Sequence, residues 1–436
     1  MNTTVTEEEL ANERSPDGVK QPPRPKLYQI MGPGLITGAS DDDPSGIATY
    51  SQAGAKFGFD MGWTLLVSWP LMCAIQEISA RIGRVTGRGI AGNIRQHYSP
   101  ALLAFIIPLL VIANVINIGA DLGAMGAALK LLIGGPALLY VAGFGLLSVI
   151  LEVWLRYARY VSILKWLTVS LFSYAAVVLV VGTPWATVAQ HLLMPKISFS
   201  GKYLTVVVAI LGTTISPYLF FWQAEEEVED IRENESARPL RRVPEHAERE
   251  LSRIKTDTYI GMGFSNLVAL FILLAAATTL HANGVTEIET SADAAKALLP
   301  IAGKFAFFIF SLGIIGTGLL ALPVLAGSAA FATGEALGWH VGLSRKPHRA
   351  KAFYAVIAVA TLTGGILNFT PIDPIKALFW SAVVNGVVAT PVMIVVMFLA
   401  SSEKAMGEFV ISSKLKLVGW IATLVMLMAS VGMFVV

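Results

Sequence analysis

Charge is scarce in this chain. Only 14% of its 436 residues are Asp, Glu, Lys or Arg, where a soluble domain carries about a quarter. That deficit excludes an ordinary water-facing globule. With 55% hydrophobic residues and a mean hydropathy of +0.65, most side chains must face lipid or one another. Cysteine is nearly absent: Cys73 stands alone in the apolar run 69–75. One thiol makes no internal disulfide, and no second cysteine or basic neighbour supports redox chemistry. HExxH and CxxC motifs, a phosphate-cradling glycine loop and a basic nucleic-acid stripe are also missing in any suitable context. Nothing therefore points to a soluble enzyme, a bound cofactor or a nucleic-acid partner. A secretory leader is not apparent either, since the first 27 residues are polar and include Glu7, Glu8, Glu9 and Asp17.

What the chain does have is long apolar runs. They fall at roughly 31–53, 61–81, 101–130, 136–155, 161–182, 203–223, 256–280, 301–329, 352–369, 375–400 and 414–436. Each can cross a hydrocarbon core of about 30 Å, which predicts an all-α membrane protein of about eleven transmembrane helices. The expected organisation is a disordered cytosolic tail over 1–27, a ten-helix core over 28–400 and an additional C-terminal helix within 401–436. The one sizeable polar insert, 224–255, reads as a solvated cytosolic loop. With the N-terminus inside, every arginine falls in the tail or on the same set of loops, including Arg81, Arg84, Arg88 and Arg95, Arg156 and Arg159, six between 232 and 253, and Arg345 and Arg349. The positive-inside rule then predicts a multi-pass protein of the inner (plasma) membrane, with its N-terminus cytoplasmic and its C-terminus outside.

Two spans are interrupted. The first carries Gly32-Pro33-Gly34 and then Gly38-Ala39-Ser40-Asp41-Asp42-Asp43-Pro44-Ser45-Gly46. A charge at the centre of a membrane helix costs about 2.5–3.5 kcal/mol, and proline removes a backbone hydrogen bond. Such a break survives only where protein or a watery cavity satisfies the freed backbone. The sixth span has a milder version, Gly212-Thr213-Thr214-Ile215-Ser216-Pro217-Tyr218. Interrupted helices at matching places in two halves mark a transporter's midplane site, so five helices plus five in inverted topology are predicted. Freed carbonyls and a carboxylate make an oxygen-rich, negatively polarised cage suited to a cation. Pro44 fixes the break, which makes Asp43 the best-placed carboxylate; Asp41 and Asp42 are candidates for the entrance vestibule.

At these residues the chain resembles the Nramp family of divalent metal transporters, and in its departures the Nramp-related magnesium transporters. Gly32-Pro33-Gly34 with Asp43-Pro44-Ser45-Gly46 is similar to the family's first-helix pattern, GPG then DPGN. The run 80–88 resembles its helix-two ending, and 212–218 lies where its helix-six metal motif stands. The resemblance implies a LeuT-like 5+5 inverted repeat with helices 1 and 6 broken, working as a monomer. It implies a metal site at Asp43, Gly46, Thr213, Thr214 and Ser216, with Asp121 on a proton pathway. Gly46 stands where the family has an asparagine ligand, Ser216 replaces the methionine, and Thr213 replaces an alanine that offers its carbonyl. Tyr218 and Gln223 stand in place of two histidines linked to proton movement.

Losing sulfur and keeping oxygen favours harder ions. The space left by the missing side chains suits Mg²⁺, which sheds water reluctantly. The transported ion is therefore expected to be Mg²⁺ or Mn²⁺, without strong proton coupling. Alternatives are a proton-coupled Mn²⁺/Fe²⁺ carrier and a sodium-coupled organic solute carrier on the same fold. Glu77 is placed at the inner vestibule or in a pair with a nearby arginine, and Asn385 is a candidate late-closing ligand. The charge run Glu225, Glu226, Glu227, Glu229 and Asp230 reads as a solvated face.

Overall fold

In lipid every backbone polar group must be satisfied within the chain, so apolar runs bounded by Gly and Pro become helices. The structure, a computed structural model, describes residues 37–38, 40–154, 167–234 and 237–435. No strand occurs among the described residues. The tail 1–27, the Gly32-Pro33-Gly34 motif and Arg156 and Arg159 lie outside them.

The main helices are α1 (Pro44–Phe57), α2 (Gly62–Thr86), α3 (Ile90–His97), α4 (Pro100–Ile133) and α5 (Ala137–Trp154). They continue with α6 (Phe172–Val180), α7 (Trp185–Leu193), α8 (Gly201–Thr214), α9 (Pro217–Glu233) and α10 (Ala247–Thr279). The last four are α11 (Ala306–Leu337), α12 (Lys351–Leu367), α13 (Pro374–Ala400) and α14 (Ser413–Val435). Eight helical stretches among the described residues are long and apolar enough to cross a membrane, nine if the bent pair 169–180 and 185–193 is one span. The stretch Pro44–Thr86 contains two predicted spans, α1 and α2, and Lys351–Leu367 is a shorter apolar helix. A helix thus stands on each of the eleven predicted runs. Gly58 separates α1 from α2 at φ 59°, a left-handed conformation that a side chain would strain.

Helix α4 lies at the centre and packs along α5, α11, α12 and α13. Its inward face carries Asn114, Asn117 and Asp121, all fully buried and spaced by three or four residues, so they line one side. Helix α8 packs closely on α13 because Gly212 faces the backbone of Ala382 and Gly386, where an added Cβ would overlap it.

The arginines gather at one end of the bundle. Arg84 of α2 reaches Asp230 of α9 at 2.6 Å and Glu250 of α10 at 2.7 Å. Arg253 adds contacts to Glu227 at 2.5 Å and to Glu250 at 3.1 Å. Beside them, Glu229 accepts from Arg232 and from the Ser344 amide and hydroxyl. Glu335 accepts from the amides of Gly89 and Gly92 at the start of α3, where a helix N-terminus favours negative charge.

The reading of 225–230 as a solvated face, inside a loop over 224–255, is therefore corrected. Helix α9 runs on to Glu233 and α10 begins at Ala247. Glu225, Glu227 and Glu229 are buried. The reason is pairing: Arg84 of α2 and Arg253 of α10 face Glu227, Arg232 of the same helix faces Glu229, and an ion pair makes burial tolerable where a lone charge would not be. Sequence shows the acids but not the arginines that meet them from 146 to 166 residues away in the case of Arg84.

Arg84→Ala leaves Glu227 and Glu250 short of a cation in a buried setting. It is expected to cost about 3–5 kcal/mol. The check is the melting temperature of the detergent-solubilised protein, which should fall clearly below that of Arg88→Ala at the same end.

Candidate functional site

The sequence Asp42-Asp43-Pro44 breaks the first span by simple backbone chemistry. Thr37, Gly38, Ser40 and Asp41 are helical, Asp42 and Asp43 are not, and the helix restarts at Pro44. Proline at the first helical position lacks only an amide that would be unsatisfied anyway. Asp43 takes an extended conformation, φ −71° and ψ 171°, and caps α1. Its Oδ1 accepts from the Gly46 amide at 2.7 Å and from Ser45 Oγ at 2.6 Å. Its Oδ2 accepts from Asn117 Nδ2 of α4 at 3.1 Å and from Tyr218 Oη of α9 at 3.3 Å. One buried carboxylate thus ties together the first, third and sixth spans.

The sixth span breaks at Ile215 and Ser216. Ser216 Oγ turns back and donates to the carbonyls of Gly212 at 2.8 Å and Thr213 at 2.9 Å. The hydroxyl thereby satisfies two carbonyls that the break would leave open. Thr214 Oγ1 bonds to the Ile210 carbonyl at 2.9 Å, so its hydroxyl faces its own helix. Thr213 Oγ1 behaves differently. It is buried without a hydrogen-bond partner among the described residues, as is Tyr50 Oη.

Gly46 lies among these atoms. A Cβ built there would meet Thr213 Oγ1 at 3.1 Å, the Tyr50 ring at 3.2 Å and Asp43 Oδ1 at 3.6 Å. The space expected from the missing side chain at Gly46 is thus narrow at its base, because the threonine hydroxyl and the tyrosine ring border it.

The other acids are distributed around this centre. Asp41 Oδ2 and Asp42 Oδ1 both accept from Ser265 Oγ of α10, at 2.6 and 3.2 Å. Asp121 lies one turn beyond Asn117, and neither of its oxygens has a partner among the described residues. The ion pairs among the described residues involve none of Asp41, Asp42, Asp43 or Asp121. Glu77 does pair, with Arg81 at 2.5 Å one turn along α2. Gln223 accepts from Thr37 Oγ1 at 2.5 Å, a second bond between the two interrupted spans. Asn385 of α13 points its amide at Asn117 Oδ1, 3.5 Å away.

Five positions escaped the sequence reading: Asn117, Ser45, Tyr50, Ser265 and Thr37. A signal existed for Asn117. Polar residues repeating at helical spacing inside the most apolar run face the bundle interior rather than lipid.

No group of three or more His, Cys, Asp or Glu side chains able to hold a metal occurs among the described residues. The chemistry available is instead one carboxylate surrounded by hydroxyl, amide and carbonyl oxygens. Beyond it, toward the end opposite the arginines, lies a cavity of about 210 Å³ bordered by Ala48, Gln52, Val206, Phe379 and Trp380. Lys56 with Glu287 and Lys376 with Glu289 stand at its rim.

The crowding at Gly46 makes a prediction about volume. Gly46→Asn alone should destabilise by about 1–3 kcal/mol through overpacking. Thr213→Ala, which removes the nearest atom, should restore part of that loss. A double-mutant cycle on melting temperature reads the coupling; strict additivity would show that the two side chains do not compete for one space.

Comparison with known proteins agrees with this fold. The family profile described as "Natural resistance-associated macrophage protein-like" (Nramp) matches residues 34–436. A "Divalent metal cation transporter MntH" of Acidiphilium cryptum is 25% identical over 394 residues, covering 88% of this chain and 84% of that protein. One from Verminephrobacter eiseniae is 27% identical over 308 residues, covering 67% and 65%. Among solved structures, the Eremococcus coleocola manganese transporter superposes with a TM-score of 0.76 at 16% identity, over 94% of this chain and 88% of that one. The nucleobase-cation-symport-1 family transporter Mhp1 gives 0.57 at 12% identity, over 93% and 92%. The fold is the LeuT-like one with helices 1 and 6 broken, and the chain belongs to the Nramp family.

Proposed function

We propose that this protein is a secondary carrier of hard divalent cations, Mg²⁺ and Mn²⁺, working by alternating access around the break at Asp43. The observation that carries this reading is the buried Asp43 carboxylate, which has no ion-pair partner among the described residues and is held by hydroxyl and amide donors. Buried charge without a counter-ion is costly, and a cation supplies that counter-ion. The relatives named as divalent metal cation transporters support the class of cargo.

The ion's hardness follows from the donors. Ser216 brings a hydroxyl to the helix-six break, and the groups hydrogen-bonded to Asp43 are hydroxyls and amides. Oxygen donors suit Mg²⁺ and Mn²⁺, whereas thioethers favour softer ions. Proton coupling is weak in this reading. Tyr218 and Gln223 hold Asp43 and Thr37 by hydrogen bonds, and neither exchanges protons near neutral pH as histidine does. With the arginine end in the cytoplasm, the inside-negative potential drives entry at about 2.3 kcal/mol per charge per 100 mV.

Uptake into proteoliposomes tests both parts. Asp43→Ala should abolish Mg²⁺ and Mn²⁺ uptake in protein that stays folded, and Asp41→Ala and Asp42→Ala should reduce it less. Unchanged uptake by Asp43→Ala removes the site assignment. A luminal pH dye should report no metal-dependent acidification. Acidification that vanishes in Asp121→Asn would restore a proton-coupled Mn²⁺/Fe²⁺ carrier.

Ion class is read by competition against Mn²⁺ uptake. Ser216→Met should admit Cd²⁺ and lower Mg²⁺ transport relative to Mn²⁺, since sulfur binds the softer ion better. A wild-type protein that already prefers Cd²⁺ over Mg²⁺ would contradict the hard-ion reading.

A further inference from the structure

Asp43 uses its two oxygens differently. Oδ1 is committed to the helix cap through Ser45 and Gly46, with bonds of 2.6 and 2.7 Å. Oδ2 has the longer contacts, 3.1 Å to Asn117 and 3.3 Å to Tyr218. It is the oxygen a cation can take at least cost to the fold. Asn117 now points an N–H at that oxygen, which a cation in the same place would repel. A carboxamide has a second orientation of nearly the same shape, with its oxygen and nitrogen exchanged.

The surroundings are prepared for that exchange. Asn385 directs its amide toward Asn117 Oδ1 across 3.5 Å, while its own Oδ1 is buried with no donor among the described residues. If Asn117 turns, its N–H faces Asn385, and Asn385 must turn as well to offer its oxygen. The contact between the two amides then keeps its donor and acceptor, with the roles reversed. The orphaned oxygen of Asn385 gains a partner only in the turned arrangement.

The spacing also fits an ion. Six oxygens at 2.0–2.1 Å around Mg²⁺ place neighbouring ligands about 2.8–3.0 Å apart, the edge of an octahedron, and Ca²⁺ at 2.3–2.6 Å places them about 3.3–3.7 Å apart. Asp43 Oδ2 and the Asn117 amide are 3.1 Å apart, a separation between the two ranges that a small adjustment brings to either ion.

We propose that Asn117 is a direct ligand of the transported cation, turning its amide oxygen to the ion beside Asp43 Oδ2 while Asn385 turns with it. This rests on the reading of Asp43 as the cation site. The amide donor absent from α1 at Gly46 is thereby supplied from α4. Asn117 and Asn385 form a two-position element: N–H toward Asp43 without the ion, C=O toward the ion when it is bound.

The test separates a ligand from a group that merely holds Asp43 by its N–H. Mn²⁺ binding to the full-length, detergent-solubilised protein is measured by calorimetry for wild type, Asn117→Leu, Asn117→Asp and Asp43→Ala. Melting temperatures without Mn²⁺ report folding. Asn117→Leu should bind Mn²⁺ at least tenfold more weakly. Asn117→Asp retains an oxygen but has no N–H, so it should bind within about threefold of wild type or more tightly. Because a carboxylate at 117 keeps the oxygen a ligand needs, a tenfold loss in Asn117→Asp overturns the proposal. Wild-type affinity in Asn117→Leu overturns it too. Should Asn117→Leu fail to fold, Asn117→Ala takes its place and is read by the same criterion: a tenfold loss supports the ligand, and wild-type affinity rejects it. Asp43→Ala reports separately on the underlying site. Binding lost there but kept in Asn117→Leu rejects only the amide assignment, whereas binding kept in Asp43→Ala rejects the site itself.

Discussion

The structure depends on one carboxylate in the middle of a membrane helix. Asp43 closes the exposed end of α1, a service an N-cap performs at the edge of any soluble helix, but here the edge lies inside the bundle. Its other oxygen collects an amide from α4 and a phenol from α9. The interruption is therefore held open by bonds to its neighbours rather than by flexibility. Ser216 does the corresponding work at the sixth span, with its hydroxyl spread over two carbonyls. Both breaks are chemically quiet as backbone. What remains active is the polar surface between them.

That surface is unusual for how much of it is left open. Thr213 Oγ1, Tyr50 Oη, one oxygen of Asp41, both oxygens of Asp121 and the oxygen of Asn385 are buried without partners among the described residues. Buried polar atoms in folded proteins are nearly always bonded to protein or to ordered water. A cluster of exceptions around one acid is a place built for waters or an ion. At the arginine end Arg84, Arg253, Glu227 and Glu250 bond to one another. These charges have counter-ions, whereas Asp41, Asp43 and Asp121 in the middle have no ion pair among the described residues.

Much of this was legible in the sequence. Helical periodicity needed no alignment, since a run of twenty apolar residues in a low-charge chain has few other solutions. Asp43 could be found because Pro44 marks where the helix restarts and charge is expensive there. Gly46 and Ser216 could be named only through the resemblance. What sequence concealed was mutual orientation. The hydroxyl of Ser216 turned out to cover carbonyls, that of Thr214 faced backward, and that of Thr213 pointed at the space above Gly46. Ser216 and Thr214 bond carbonyls three or four residues back, an option the sequence permits without choosing it, and Thr213 meets the space at Gly46 and Tyr50, far away in the chain. The acids in the last turns of α9 failed because their partners on α2 and α10 are far away in the chain. A run of glutamates reads as wet unless one knows that α2 and α10 bring arginines to it.

One consequence concerns leverage. Helix α9 is a single uninterrupted rod from the break at Ser216 to the acids at the arginine end. Its 17 residues span about 25 Å, so tilting it by about 10° at the Ser216–Pro217 joint displaces the far tip by about 4 Å. Contacts of 2.5–2.7 Å such as those from Arg84 to Asp230 and from Arg253 to Glu227 do not survive such a displacement unless α2 and α10 travel with it. Any tilt of α9 at the break is thus magnified, through a stiff arm, at the ion pairs of its far end.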